Sequence, residues 1–262
     1  MTEIDQIDII DNGNVCSDKN EYIKIIMDYL KRKYKIEFNF VENHGHYSFK
    51  YKDKKILEDF NTSGECIDEK CDELRISIKG WKVLLSNFHN SEMKSESKYR
   101  NSENNGDFYE KHIKDWDTRN INSFEKDNDV HRGHYIAKSF KNYLININSL
   151  SDSEKHKVNN FFGKGNELNI NYQTRDANCN SLNFQGQLHF ENRIIETLSN
   201  NKNNSVRYII EDILFLEKSL GRILIIDFDD EDDVEFIFIP NTNKNASNSP
   251  LFQKCFFDWN NS

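Results

Sequence analysis

Three runs rich in β-branched and aromatic residues follow one another near the C-terminus, at 206–215, 222–228 and 234–240. Only short polar breaks part them. Successive strands this close pair with their neighbours, so the runs predict an antiparallel meander. The second break overlaps Asp227-Phe-Asp-Asp-Glu-Asp-Asp-Val-Glu235, which reads as a solvated turn between strands. It lacks the alternating ligands and central Gly of an EF-hand calcium loop. Near the other end, residues 17–35 predict a helix. Ser17 and Asp18 can cap it, and Tyr22, Ile25, Ile26, Tyr29 and Leu30 recur at helical spacing. Lys31, Arg32 and Lys33 suit its last turn, where the helix dipole favours cations.

Alternating stretches at 36–41 and 47–51 predict two strands joined by a turn at Asn43-His-Gly-His46. Residues 74–78 and 81–85 predict two more. Residues 90–106 turn wholly polar and predict a linker. Residues 1–100 therefore read as a small α+β module of unassigned role, and 107–262 as a second domain. The 13% aromatic content sets the chain apart from disordered sequences. The longest apolar run, 223–226, is far too short to span a membrane, so no membrane partner is expected. The first 30 residues show no secretory signal, and the five Cys are scattered and odd in number. Reduced thiols in the cytoplasm are the expectation, with export by a non-Sec system as the alternative.

The chemistry lies between residues 127 and 194. Net charge is −9 over the whole chain, which argues against a protein that coats nucleic acid. This segment, with eight Lys and Arg against seven Asp and Glu, stands at +1 and adds four His. Three pieces stand in order within it: His131-Arg-Gly-His134, Asn169-Ile-Asn-Tyr-Gln-Thr-Arg-Asp-Ala-Asn178 and Gly186-Gln-Leu-His-Phe-Glu191. Residues 130–137 predict a strand and 186–198 a helix. The pieces supply an imidazole beside a guanidinium, a run of carboxamides and a carboxylate on a helix. Phosphodiester hydrolysis uses those groups. A neutral imidazole takes a proton from water, a hard oxygen holds Mg²⁺, and a guanidinium offsets charge on phosphate. Because the chain holds 36 Asn, no single Asn carries weight without its spacing.

In order and spacing the three pieces resemble the DNA/RNA non-specific endonuclease family, the Serratia-nuclease-like branch of the His-Me finger (ββα-metal) nucleases. The matching elements are Arg132-Gly133-His134, then Asn169, Gln173 and Asn178, then Glu191. The likeness covers roughly residues 127–243. It implies an α+β fold, with a ββα-metal finger packed on an antiparallel sheet. It implies His134 as general base, Asn178 as the sole direct protein ligand of one Mg²⁺ (Mn²⁺ as an alternative), and Glu191 holding metal-bound water. Asn169 would orient groups within the site, Gln173 would be structural, and Arg132 would contact phosphate or brace the strand. Arg119 is a candidate second phosphate contact. Cys179, a poor Mg²⁺ ligand, reads as packing. The family's Asp before Arg-Gly-His is His131 here.

The expected function is Mg²⁺-dependent, non-specific endonuclease activity on DNA and/or RNA, leaving 5′-phosphate and 3′-hydroxyl ends. Such an enzyme serves as a defence effector or a toxin, and its expected protein partner is an inhibitor, immunity or defence-system protein. The alternative, motivated by His131, is a catalytically inactive finger kept as a nucleic-acid- or protein-binding module.

Overall fold

The computed structural model describes residues 19–57, 60, 63–72, 76–87, 108–117, 130–163, 165–181, 184–200, 205–215 and 218–241. Helix α1 (Lys19–Tyr34) leads into β1 (Val41–Asn43) and β2 (His46–Tyr51), followed by β3 (Glu65–Cys71) and β4 (Ile76–Ser86). Strand β5 (Val130–His134) is separated from β6 (Ile170–Thr174) by two helices, α2 (Lys141–Leu144) and α3 (Asp152–Phe161). Helices α4 (Arg175–Asn178) and α5 (Gln187–Asn200) precede β7 (Ser205–Phe215), β8 (Lys218–Phe228) and β9 (Val234–Pro240). Among the described residues no helix is long and apolar enough to cross a membrane.

The fold is α+β. Seven strands form one sheet in the order β1-β2-β9-β8-β7-β4-β3, and every neighbouring pair is antiparallel. The meander β7-β8-β9 is its centre. The segment expected as a separate module supplies β1–β4, which flank the meander on both sides. Residues on either side of the expected linker are thus joined in one hydrogen-bonded sheet. The linker itself, 90–106, lies outside the described residues, as do the caps Ser17 and Asp18 and the candidate phosphate contact Arg119.

Both faces of the sheet are covered, which is why its central strands are apolar on alternate and intervening positions alike. On β8, Ile223 and Ile225 join a core with Ile26, Tyr29 and Leu30 of α1. Leu224 and Ile226 point the other way, into a core with Phe140, Phe161, Phe190 and Ile194. Helix α1 is pinned through Tyr29 and Tyr34, whose hydroxyls donate to Glu211 at 3.0 and 2.8 Å. At the first hairpin, His44 and Gly45 both have positive φ (44° and 87°), the geometry a two-residue turn between twisted strands requires.

The second core lies beneath a two-stranded ribbon. Strands β5 and β6 form a separate antiparallel ribbon, with His131 opposite Gln173 and Gly133 opposite Asn171. Helix α3 opens on a capping box in which the Ser151 side chain accepts from Glu154 N and Glu154 accepts from Ser151 N. Helix α4 follows β6 without a break, its first turn closed by Ala177 N donating to Thr174 Oγ1 at 3.2 Å.

Candidate active site

The imidazole expected to act as base ends β5. Nε2 of His134 lies 3.1 Å from the carbonyl oxygen of Phe162. A carbonyl only accepts, so Nε2 carries the proton and Nδ1 keeps its lone pair; the tautomer follows from this partner. Burial pushes the His134 pKa below its ordinary value, the Phe162 carbonyl opposes that, and the Arg222 charge adds to it. The ring is therefore neutral at pH 7, as a base must be. Its backbone is equally fixed. The His134 carbonyl accepts from Arg222 Nη1 at 2.9 Å and from Gln187 Nε2 at 2.7 Å.

Arg222 was invisible to motif reasoning, yet it joins the sheet to the β5–β6 ribbon. It is fully buried on β8 directly opposite Asp212 of β7, with 3.4 Å between Nε and the carboxylate. Its guanidinium also donates to the Gly133 carbonyl at 3.0 Å and to Gln187 Oε1 at 2.7 Å. A side chain at Gly133 would force the buried Gln173 to move, whose own Cβ would be 2.9 Å away. A Cβ would sit 2.3 Å from Gln173 Oε1 and 3.0 Å from Arg222 Nη1. The signal that could have found Arg222 is a lone guanidinium within the apolar run 220–226, since a buried charge demands a partner.

Glu191 stands one turn along α5 from Gln187. The Gln187 amide donates to Glu191 Oε1 at 2.7 Å while donating to the His134 carbonyl, so one carboxamide links base strand and carboxylate. Burial raises the Glu191 pKa to about 7, against the opposing pull of Gln187 and Arg222. This carboxyl keeps its proton in the folded state between its unfolded value of 4.5 and about 7. Over that window the folded state binds more protons, so its contribution to stability falls as pH rises. Replacing Glu191 with Gln is expected to raise the melting temperature at pH 8, with the gain vanishing at pH 4.5. Melting curves at the two pH values check this, and equal shifts at both would contradict the burial of the charge.

Asn169 is hydrogen-bonded to the backbone that follows β5. Its Oδ1 accepts from Ile136 N at 2.8 Å, its Nδ2 donates to Ile136 O at 3.1 Å, and the residue is fully buried. Both ends of the amide are committed to backbone just beyond His134, so its role is positional. Gln173 is buried against Gly133. Arg132 is half-buried, and strand alternation puts it on the face of β5 opposite Gly133.

Asn178 ends α4 and lies against His131, three residues before His134 on β5. Its Nδ2 is 3.4 Å from His131 Nδ1 and 3.6 Å from Cys179 Sγ, and the Cys179–His131 distance is 3.7 Å. Burial pushes the Cys179 thiol up, its contact with Asn178 and the Arg175 charge oppose that, and the Glu191 charge adds to the rise. The amide oxygen of Asn178 and the Glu191 carboxylate are donors that suit Mg²⁺. The imidazole nitrogen and the sulfur beside them suit softer ions, so Mg²⁺ here would be held by the oxygen donors alone. Among the described residues there is no group of three or more His, Cys, Asp or Glu placed to hold a metal.

No family model matches the chain, and no curated protein matches it. Among solved structures it is similar to NucA from Streptococcus agalactiae with magnesium bound, at 15% identity and a TM-score of 0.45, covering 86% of this chain and 90% of that one. For NucA with no metal bound the figures are 16% and 0.47, covering 87% and 92%.

Proposed function

We propose that the protein is a metal-dependent endonuclease that hydrolyses phosphodiester bonds in DNA and/or RNA without reading base sequence. The observation that carries this reading is His134: a partly buried imidazole that burial keeps neutral at pH 7, with Nε2 committed to the Phe162 carbonyl. In this reading Nδ1 takes a proton from the attacking water. Arg132, on the same face of β5 by alternation, meets the phosphate. Gln187 and Arg222 hold the His134 backbone, and Asn169 fixes the chain just after it. Asn178 holds a divalent cation, with Glu191 ordering its water; the expected ion is Mg²⁺ or Mn²⁺, which would supply charge neutralisation at the leaving oxygen. Contacts to backbone phosphate carry no sequence information, hence the lack of base preference. An unselective nuclease endangers the cell that makes it, so the proposal includes an inhibitor, immunity or defence-system partner.

The test is digestion of supercoiled plasmid and of single-stranded RNA, each with divalent ion and with excess EDTA. Cleavage that leaves 5′-phosphate ends and stops in EDTA is the expected result. Intact substrate under every metal tried, with DNA still bound, would replace this reading by that of a binding module.

A further inference from the structure

His131, Asn178 and Cys179 form one triangle of long polar contacts. At 3.4 Å the His131–Asn178 contact exceeds the roughly 2.9–3.0 Å of a good hydrogen bond, and the Asn178–Cys179 and His131–Cys179 contacts, at 3.6 and 3.7 Å, lie within the longer reach of sulfur. They match another figure. A tetrahedral zinc centre has bonds of about 2.05 Å to nitrogen or oxygen and about 2.3 Å to sulfur. Three ligands at tetrahedral angles then stand about 3.4 Å apart for the nitrogen–oxygen edge and about 3.6 Å for either edge to sulfur. Those are the three edges found here, with the amide of Asn178 turned by half a rotation. That turn exchanges Nδ2 and Oδ1 with almost no change of shape.

We propose that His131 Nδ1, Asn178 Oδ1 and Cys179 Sγ form a site for a thiophilic divalent cation of the Zn²⁺ class, with the fourth position open to water or substrate. The donors are carried on fixed backbone. His131 is in the ribbon opposite Gln173. Cys179 N donates to Arg175 O at 2.8 Å, closing the end of α4. Gly186 presses on the same turn so closely that a Cβ there would lie 2.3 Å from the carbonyl oxygens of Asp176 and Cys179. Binding releases the thiol proton to solvent as the sulfur–metal bond forms. Imidazole and sulfur select Zn²⁺ or Co²⁺ over Mg²⁺. The inference deepens the nuclease reading through the shared Asn178. It rests on that reading only for the effect on cleavage: Zn²⁺ and Mg²⁺ compete for one amide, so Zn²⁺ at the site inhibits cleavage supported by Mg²⁺.

The test is titration of the reduced full-length protein with Co²⁺, followed by absorbance. A thiolate-to-cobalt band that saturates at one equivalent and is bleached by Zn²⁺ but not by excess Mg²⁺ is the expected result. Cys179→Ser abolishes the band, and His131→Ala weakens Zn²⁺ binding beyond the roughly 10–100-fold that loss of an outer partner costs. His131→Asp, which keeps a donor of similar reach, moves the preference from Zn²⁺ toward Mg²⁺. His134→Ala leaves the band in place. No band, or one that survives Cys179→Ser and so belongs to other cysteines, overturns the proposal. The two readings fail separately. A band without cleavage removes the nuclease and keeps the site, whereas cleavage without a band removes the site and keeps the nuclease.

Discussion

Replacing His134 with Ala is expected to lower kcat by about 10²–10⁴-fold, the usual contribution of a positioned general base. The fold should survive, because the ring bonds only to the backbone of the Phe162–Gly163 turn, while the strand is held by backbone contacts from Arg222 and Gln187 that Ala keeps. In the proposed reaction the base works as neutral imidazole. Since burial lowers its pKa, the limb it contributes to kcat/KM falls away only below pH 6.5, and the profile is flat above that on its account. An inflection near pH 7 belongs to Glu191, whose pKa is raised to about 7, and disappears in Glu191→Gln. Initial rates on plasmid across pH 5–8 for wild type and both variants check these points. Retention of most of the activity by His134→Ala would remove His134 from the chemistry.

The parts of this molecule legible in the sequence are those decided by neighbours in the chain. The meander was legible because each strand pairs with the next, and α1 because its apolar face repeats every turn. What failed was long-range. Residues 74–78 and 81–85 were expected as two strands, but β4 runs unbroken from Ile76 to Ser86. Gly80 looks like punctuation and is a close approach instead: a Cβ there would lie 1.8 Å from Ile210 O of β7. The strand expected at 36–41 pairs only from Val41, because Phe38 is buried against Phe236, with ring centroids 4.9 Å apart. That β1–β4 flank the meander is set by pairing across more than a hundred residues, which no local pattern encodes. The same holds at the site. Spacing singled out His134, Asn169, Asn178 and Glu191, yet it could not show that Asn169 spends both ends of its amide on Ile136. Nor could it show that His131, read as a departure, and Cys179, read as packing, both stand against Asn178.

Arg222→Met is expected to cost more stability than any change at the site itself. Methionine fills much of the space but leaves Asp212 buried without its counter-charge, and it strips donors from the Gly133 and His134 carbonyls and from Gln187. Breaking one side of a buried pair costs about 3–5 kcal/mol, which for a chain of this size is roughly 10 °C in melting temperature. Asp212 keeps three other donors, Tyr135 Oη at 3.2 Å, Asn171 Nδ2 at 3.1 Å and the Ser219 hydroxyl, and these limit the loss. Burial already pushes its carboxyl upward against the pull of Arg222, and the variant lets that rise go further. The folded variant then holds a proton at Asp212 that the unfolded chain has released, so its deficit grows as pH rises above the ordinary carboxylate range. Adding Asp212→Asn removes the orphaned charge and should restore about 1–3 kcal/mol, the coupling expected of a contacting pair. Arg222→Lys separates charge from geometry. An ammonium keeps the positive charge beside Asp212 but cannot reach both β5 carbonyls and Gln187 as a planar fork does. Melting temperature should therefore recover in part, while kcat falls as the His134 backbone and the Gln187–Glu191 link lose their anchor. Urea unfolding at pH 5 and pH 8, run beside initial rates, decides it: full activity in Arg222→Lys would show that charge alone seats the β5–β6 ribbon on the sheet.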